Sequence, residues 1–225
     1  MTNAKRVRAD LKSPKYVDIV CISDTHSLHR ECEVPSDDIL IHAGDFTMLS
    51  ESAASIIDFN DWIGELPHAC KLIVPGNHEF FLASDLTRRS LISNARLLIN
   101  EAVDVMGLKI WGSPVTTLQG GAFGLSSEMD RSALYSKIPK DVDIIVTHGP
   151  PHGILDCAPG ETLHYGCRPL RKAVQDFKPK IHIFGHNHSG YGTVTIEDTL
   201  FINAALMGPL GELSNSPIIR RMSQS

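Results

Sequence analysis

Five apolar runs of strand length each hand the chain directly to a small polar cluster, and this arrangement restricts the fold more than any other feature of the sequence. Val17 to Ile22 leads into Asp24-Thr25-His26, Ile39 to Ile41 into Gly44-Asp45, and Leu72 to Val74 into Gly76-Asn77-His78-Glu79. Ile144 to Val146 leads into Thr147-His148-Gly149-Pro150, and Ile181 to Phe184 into Gly185-His186-Asn187-His188. Loops that hang from the ends of a rigid sheet hold their side chains to the tolerance a reactive centre needs and stay open to substrate. The clusters offer carboxylate, carboxamide and imidazole, the donors that a pair of divalent ions about 4 Å apart requires from several loops at once.

Between these runs, Glu51 to Leu66 carries Ile56, Phe59, Ile63 and Leu66 near helical spacing and reads as a crossover helix. Met129 to Lys137 and Pro169 to Phe177 read as shorter helices. The early alternation of strand and helix gives parallel pairing, whereas Ala102 to Met106 with Gly107 to Trp111, and Thr193 to Ile196 with Leu200 to Asn203, read as meander strands. Together they predict an α/β protein with a two-sheet core and helices outside. The glycine- and proline-rich stretches Thr116 to Ser127 and Pro150 to Gly166 are long enough to form functional rims.

A chain of 225 residues suits one domain. Residues 1–15, basic and polar, read as a flexible arm, 16–208 as the domain, and 209–225 as a loosely structured C-terminal tail. A formal net charge of −5 argues against an extended nucleic-acid surface. No stretch approaches the roughly 18 consecutive apolar residues of a membrane span, and the N-terminus lacks the apolar core of a secretory signal, so a cytoplasmic location is expected. The five cysteines form no C-x-x-C pair and read as reduced thiols; Cys21 sits in an apolar strand, and Cys157 and Cys167 bracket a polar loop. His42, His68 and His182 read as core histidines, while His29, His152 and His164 stay unassigned. Asp24 and His26, two apart on an extended backbone, would leave the same face and grip one ion.

The ordered set D-x-H, G-D, G-N-H-E, a lone histidine after a strand, and G-H-x-H resembles the calcineurin-like metallophosphoesterase superfamily from Val17 to Tyr191. The text around the motifs, Cys21-Ile22-Ser23-Asp24-Thr25-His26-Ser27, His42-Ala43-Gly44-Asp45-Phe46-Thr47 and Phe184-Gly185-His186-Asn187-His188-Ser189, is similar to the MPPED-type metallophosphodiesterase branch. Some members of that branch lack the first histidine of the last motif. This chain keeps His186, which favours an active enzyme. The resemblance implies a four-layer α/β/β/α sandwich of two mixed β-sheets flanked by helices, and two divalent metal ions, Mn first, with Fe, Zn or Ni as alternatives. It implies Asp24, His26 and His188 at the first ion, Asn77, His148 and His186 at the second, and Asp45 bridging both. His78 is implied as the group that protonates the leaving oxygen or steadies charge on the phosphoryl group, itself held by a carboxylate for which Glu79 and an acid near Asp45 are the candidates. A hydroxide held between the ions would attack phosphorus in line with the leaving alkoxide, and no nucleophile motif such as G-x-S-x-G is present to form a covalent intermediate.

Related protein phosphatases carry G-D-x-V-D-R-G, whose arginine grips a dianionic monoester. Here Gly44-Asp45-Phe46-Thr47-Met48-Leu49-Ser50 has no arginine, so a phosphodiesterase, with cyclic nucleotides among the candidate substrates, is expected first. Two alternatives stay open, a phosphomonoesterase on small esters or nucleotides and a low-turnover nucleotide-binding scaffold. Phe80, Phe81, Tyr165 and Tyr191 are placed to stack a base, although packing is the commoner fate of such aromatics. The substrate is expected to be small, with no membrane partner and with oligomerisation left open.

Overall fold

The computed structural model describes residues 16–49 and 52–223. The arm predicted for residues 1–15 lies outside the described residues. Strands β1 (Tyr16–Ile22), β2 (Ile39–His42), β3 (Cys70–Ile73) and β4 (Arg96–Leu97) form a five-stranded sheet with β11 (Ile218–Ser223), in the order β11-β1-β2-β3-β4. Strands β5 (Glu101–Val105), β6 (Leu108–Ser113), β7 (Ile144–Thr147), β8 (Ile181–Phe184), β9 (Gly192–Ile196) and β10 (Thr199–Asn203) form a six-stranded sheet, in the order β5-β6-β7-β8-β10-β9. Both sheets are mixed, with antiparallel hairpins at β5-β6 and β9-β10 where meander strands are predicted.

Strand alternation sorts side chains into three cores. Val17, Ile19 and Cys21 of β1 join Ile39 and Ile41 of β2 and, from the second sheet, Ile110, Val146 and Ile183, in a core between the sheets. Val20, Ile22 and Leu40 point the other way, onto Ile56, Phe59 and Ile63 of helix α1 (Ala53–Glu65). Ile145, Phe184 and Phe201 cover the outer face of the second sheet under helices α2 (Glu128–Tyr135) and α3 (Arg168–Phe177). This is the four-layer α/β/β/α sandwich. Sheets buried on both faces need continuous apolar strands, which is why the runs are so plain in the sequence.

Register brings the polar clusters level. Ile22 pairs with His42 and His42 with Ile73 in parallel, so the loops after β1, β2 and β3 leave the sheet side by side. Ser23 bridges Ala205 across the sheets, and Gly185 N–H donates to His148 O (3.0 Å). The site therefore sits at the carboxyl ends of the parallel strands.

The loosely structured tail is corrected: Ile218–Ser223 is a full edge strand, antiparallel to β1 from Cys21↔Ile218 to Tyr16↔Ser223. Its Ile218 and Met222 enter the inter-sheet core, and Arg221 pairs with Asp18 at 2.6 and 2.8 Å. Among the described residues no helix is long and apolar enough to cross a membrane.

The buried His42 and His182 are held neutral. Gly44 N–H donates to His42 Nδ1 (3.2 Å), so the ring proton is at Nε2, facing Thr25 Oγ1. Thr147 donates to Gly149 O and accepts from His182 Nε2 (2.9 Å). Burial pushes both imidazoles down to about 3. Unfolded histidine titrates near 6.5, so the unfolded chain binds more protons between the two values and stability falls as pH falls from about 6.5. Between pH 7.5 and 5 each ring should remove about 2 kcal/mol. Urea unfolding of metal-free protein should show this, and His182→Phe should shrink that pH dependence by about 2 kcal/mol whatever its baseline stability. An unchanged pH dependence contradicts the assignment.

Candidate metal centre

The ligand loops are built from unusual backbone. Asp24 (φ 54°), His26 (φ 41°), Asp45 (φ 54°) and His186 (φ 67°) all adopt left-handed conformations. Asp24 and His26 therefore do not alternate along extended backbone. The chain leaves β1 before Asp24, and a left-handed turn aims both side chains inward. Such conformations cost of order 1–3 kcal/mol each and persist only where neighbouring structure enforces them. Here the first two loops are laced together by Asp24 N–H to Gly44 O (2.9 Å), His26 N–H to Asp45 O (3.0 Å) and Ser27 N–H to Phe46 O (3.0 Å). Two motif glycines are fixed by space: a Cβ at Gly76 would collide with the Asp45 carboxylate, and one at Gly185 with that of Asp24.

Each carboxylate has one oxygen pinned by a main-chain N–H. His78 N–H donates to Asp45 Oδ1 (2.9 Å), and His186 N–H to Asp24 Oδ2 (2.9 Å). The other oxygens face the centre. Asp24 Oδ1 is buried without a hydrogen bond, 3.4 Å from His188 Nε2 and 3.8 Å from His26 Nε2. Asp45 Oδ2 lies 3.1 Å from His148 Nε2 and 3.9 Å from His26 Nε2, between two donor groups. Asp24, His26 and His188 bring ligand atoms within 4.8 Å of one another, and so do Asp45, His148 and His186. Asn77 Oδ1 adds to the second group, 2.9 Å from His148 Nε2. The structure thus brings together all seven residues expected as ligands.

This donor set fits cations. His26 Nε2 and His188 Nε2 face each other at 3.2 Å beside the bare Asp24 oxygen. His148 Nδ1 lies 2.9 Å from Ala43 O and donates to it, leaving the Nε2 lone pair aimed at two oxygen acceptors. Without an ion a proton must fill that place: burial opposes charge on His148, yet the adjacent Asp45 raises it to about 9. Asp24, whose burial opposes ionisation, is nonetheless held below the usual carboxylate range by His188, His148 and His26. Burial and His148 push His186 down to about 4, so its ring keeps a free lone pair at neutral pH.

His78 stands beside both groups, with Nε2 3.8 Å from Asp45 Oδ2 and its ring edge-on to His26 at 4.7 Å. Its Nδ1 meets the Met48 carbonyl oxygen. A main-chain carbonyl thus takes the orienting position expected for a carboxylate. Glu79 instead turns into the protein, where it is fully buried and accepts from Asp45 N–H (3.1 Å), Thr47 N–H (3.0 Å), Thr47 Oγ1 (2.8 Å) and Gly76 N–H (2.5 Å). It locks the Gly44-Asp45 loop to the Gly76-Asn77 loop. Spacing gave no sign of this role, since three of its four donors are backbone groups.

The remaining candidates separate. Phe81 packs against the helix-side core under Arg88, whose guanidinium lies 3.9 Å from the ring centroid, and Tyr191 donates to Ser216 O (2.8 Å). Phe80 and Tyr165 stay exposed. His29 is buried beside Asp58, Phe59 and Trp62, and His68 contacts Pro35 O.

The comparisons with known proteins agree with this geometry. The calcineurin-like phosphoesterase family model matches residues 17–190. The chain is 36% identical over 235 residues to human metallophosphoesterase domain-containing protein 1, covering 92% of this chain and 72% of that protein. It is 33% identical to UPF0046 protein K07C11.7 of Caenorhabditis elegans, covering 91% and 74%. The crystal structure of TT1561 of Thermus thermophilus shares the fold at 14% identity, with a TM-score of 0.59 over 93% of this chain and 99% of that one. With a family model spanning most of its length and relatives matched over more than two thirds of theirs, the chain belongs to the calcineurin-like phosphoesterase family, metal-dependent hydrolases of phosphoric esters with a dinuclear divalent centre.

Proposed function

We propose that this chain is a phosphodiesterase acting on small diesters, cyclic nucleotides among them, with Mn²⁺ in its centre and a cytoplasmic location in which its thiols stay reduced. The observation that carries the diester preference is the charge of the rim. Residues 24–29, 44–49, 76–81, 114–125, 148–153 and 185–191, which surround the centre, contain neither lysine nor arginine. A dianionic monoester meets no fixed guanidinium there, whereas a diester carries one charge fewer. The second organic group of a diester also finds exposed apolar contacts in Met48, Leu49, Phe80 and Leu118.

When bound, a pair of divalent ions neutralises phosphoryl oxygens and makes water nucleophilic near neutral pH. The protein's part is positional. Asp45 and Asn77 fix the spacing of the donors, and the lacing between loops keeps that spacing from relaxing when charge changes. His78, oriented through Nδ1 by the Met48 carbonyl, presents Nε2 to the departing oxygen and hands it a proton.

His78→Gln should therefore lower kcat on an alkyl leaving group by about 10²-fold or more, and far less on p-nitrophenolate, which leaves without a proton. Metal content should stay at the wild-type level. Equal losses on both leaving groups contradict the proton-donor role. The diester preference is tested by kcat/KM for bis(p-nitrophenyl) phosphate against p-nitrophenyl phosphate, using chelator-stripped protein reloaded with Mn²⁺. A diester advantage of about tenfold or more is expected, and faster monoester turnover overturns the proposal.

A further inference from the structure

The rim loop after β7 carries a second group of ligand-type side chains, apart from the seven described above. Asp156, 1% exposed, points its Oδ1 at His164 Nδ1 (2.7 Å). Its Oδ2 is held by the N–H groups of Gly153 (2.8 Å) and Gly166 (3.0 Å). Cys157 Sγ lies 3.7 Å from the same His164 nitrogen, and the three ligand atoms fall within 4.8 Å of one another. His152 adds a second imidazole: its ring centroid is 5.2 Å from that of His164, against 5.0 Å for His148–His186 and 5.1 Å for His26–His188 in the dinuclear centre. Asp156, Cys157 and His164 line a cavity of about 260 Å³ bounded also by Glu161, Ser189 and Tyr191.

We propose that Asp156, Cys157 and His164 form a third cation site, selective for a zinc-class ion, with its open position toward the cavity and His152. Thiolate, imidazole and carboxylate together suit a borderline-soft tetrahedral ion, unlike the nitrogen and oxygen donors of the dinuclear centre. With Zn–S near 2.3 Å and Zn–N near 2.0 Å, the S···N edge of a tetrahedron is about 3.6 Å, close to the spacing present. The O···N edge is about 3.3 Å, so Asp156 and His164 separate slightly as the ion takes the place of the proton they share. Binding releases the thiol proton of Cys157, while the ring proton between Asp156 and His164 leaves Nδ1 as the ion takes its place. The backbone donors on Asp156 Oδ2 leave Oδ1 oriented to bind, as outer-shell partners do for metal-ligating carboxylates.

The site bears on the dinuclear centre through the side chain of Asn203. Leu155 O accepts from Asn203 Nδ2 (3.2 Å), which also donates to Asn187 O (2.8 Å), between His186 and His188. An ion at Cys157 therefore anchors the segment that braces the last histidine motif.

The test is to strip the protein with chelator, reload it with Co²⁺, count cobalt per chain and record the thiolate-to-cobalt charge-transfer band in the near ultraviolet. Wild type should hold one cobalt more than Cys157→Ser and show a band that disappears in Cys157→Ser and in His164→Ala and persists in Cys32→Ser. Because the dinuclear centre has no sulfur donor, this reading is independent of whether the enzyme prefers diesters. Equal cobalt in wild type and Cys157→Ser, or a band that survives Cys157→Ser, overturns the proposal.

Discussion

Asp45→Asn is expected to lower diester hydrolysis by about 10³-fold or more and to reduce bound Mn²⁺ from two ions per chain to one or none at micromolar metal. The substitution is chosen for what it keeps. Asn tolerates the left-handed backbone at φ 54°, and its carbonyl can still accept from His78 N–H, so the loop retains its shape. What it removes is the charge and the second acceptor oxygen, Oδ2, which lies 3.1 Å from His148 Nε2 and 3.9 Å from His26 Nε2. That atom is common to both donor groups, so its loss weakens both sites together. Elemental analysis alongside kinetics checks the claim. Near-normal turnover with two ions retained would show that Asp45 does not bridge.

Glu79→Gln is expected to destabilise the metal-free protein by about 3 kcal/mol and to weaken metal binding although Glu79 is a predicted ligand of neither ion. All four of its partners are donors, so an amide NH₂ in place of either oxygen sets donor against donor in a fully buried place. Burial and the nearby Asp45 charge push Glu79 up to about 7 in the metal-free chain. Ions that neutralise Asp45 favour the carboxylate form that the four donors require. Urea unfolding in chelator at pH 8 measures the first effect, and Mn²⁺ titration the second. A change below about 0.5 kcal/mol with unaltered Mn²⁺ affinity would show that Glu79 does not lock the loops.

The layered core was legible because runs such as residues 39–41 are buried on both faces and are apolar throughout. The candidate ligands were legible as a set because each donor type stands next to a strand end. What escaped depends on groups that carry no residue identity. The left-handed turns at Asp24 and His26 are enforced by backbone bonds to Gly44 and Asp45, some 20 residues away. The Met48 carbonyl that orients His78 and the amides that hold Glu79 are likewise main-chain groups. Strand β11 pairs with β1 about 200 residues earlier in the chain, and its exposed Ile219 and basic Arg220-Arg221 disguise the inward-facing Ile218 and Met222. Local patterning has no access to that partner.

The most direct measurement is a Mn²⁺ titration of chelator-stripped protein, followed at once by diester turnover and by electron paramagnetic resonance. The structure places Asp45 Oδ2 between two groups of donors, so activity should rise with the signal of an exchange-coupled pair and reach its plateau at two ions per chain. Activity that saturates with one ion bound, showing only the signal of an isolated Mn²⁺, would contradict a dinuclear hydrolytic centre.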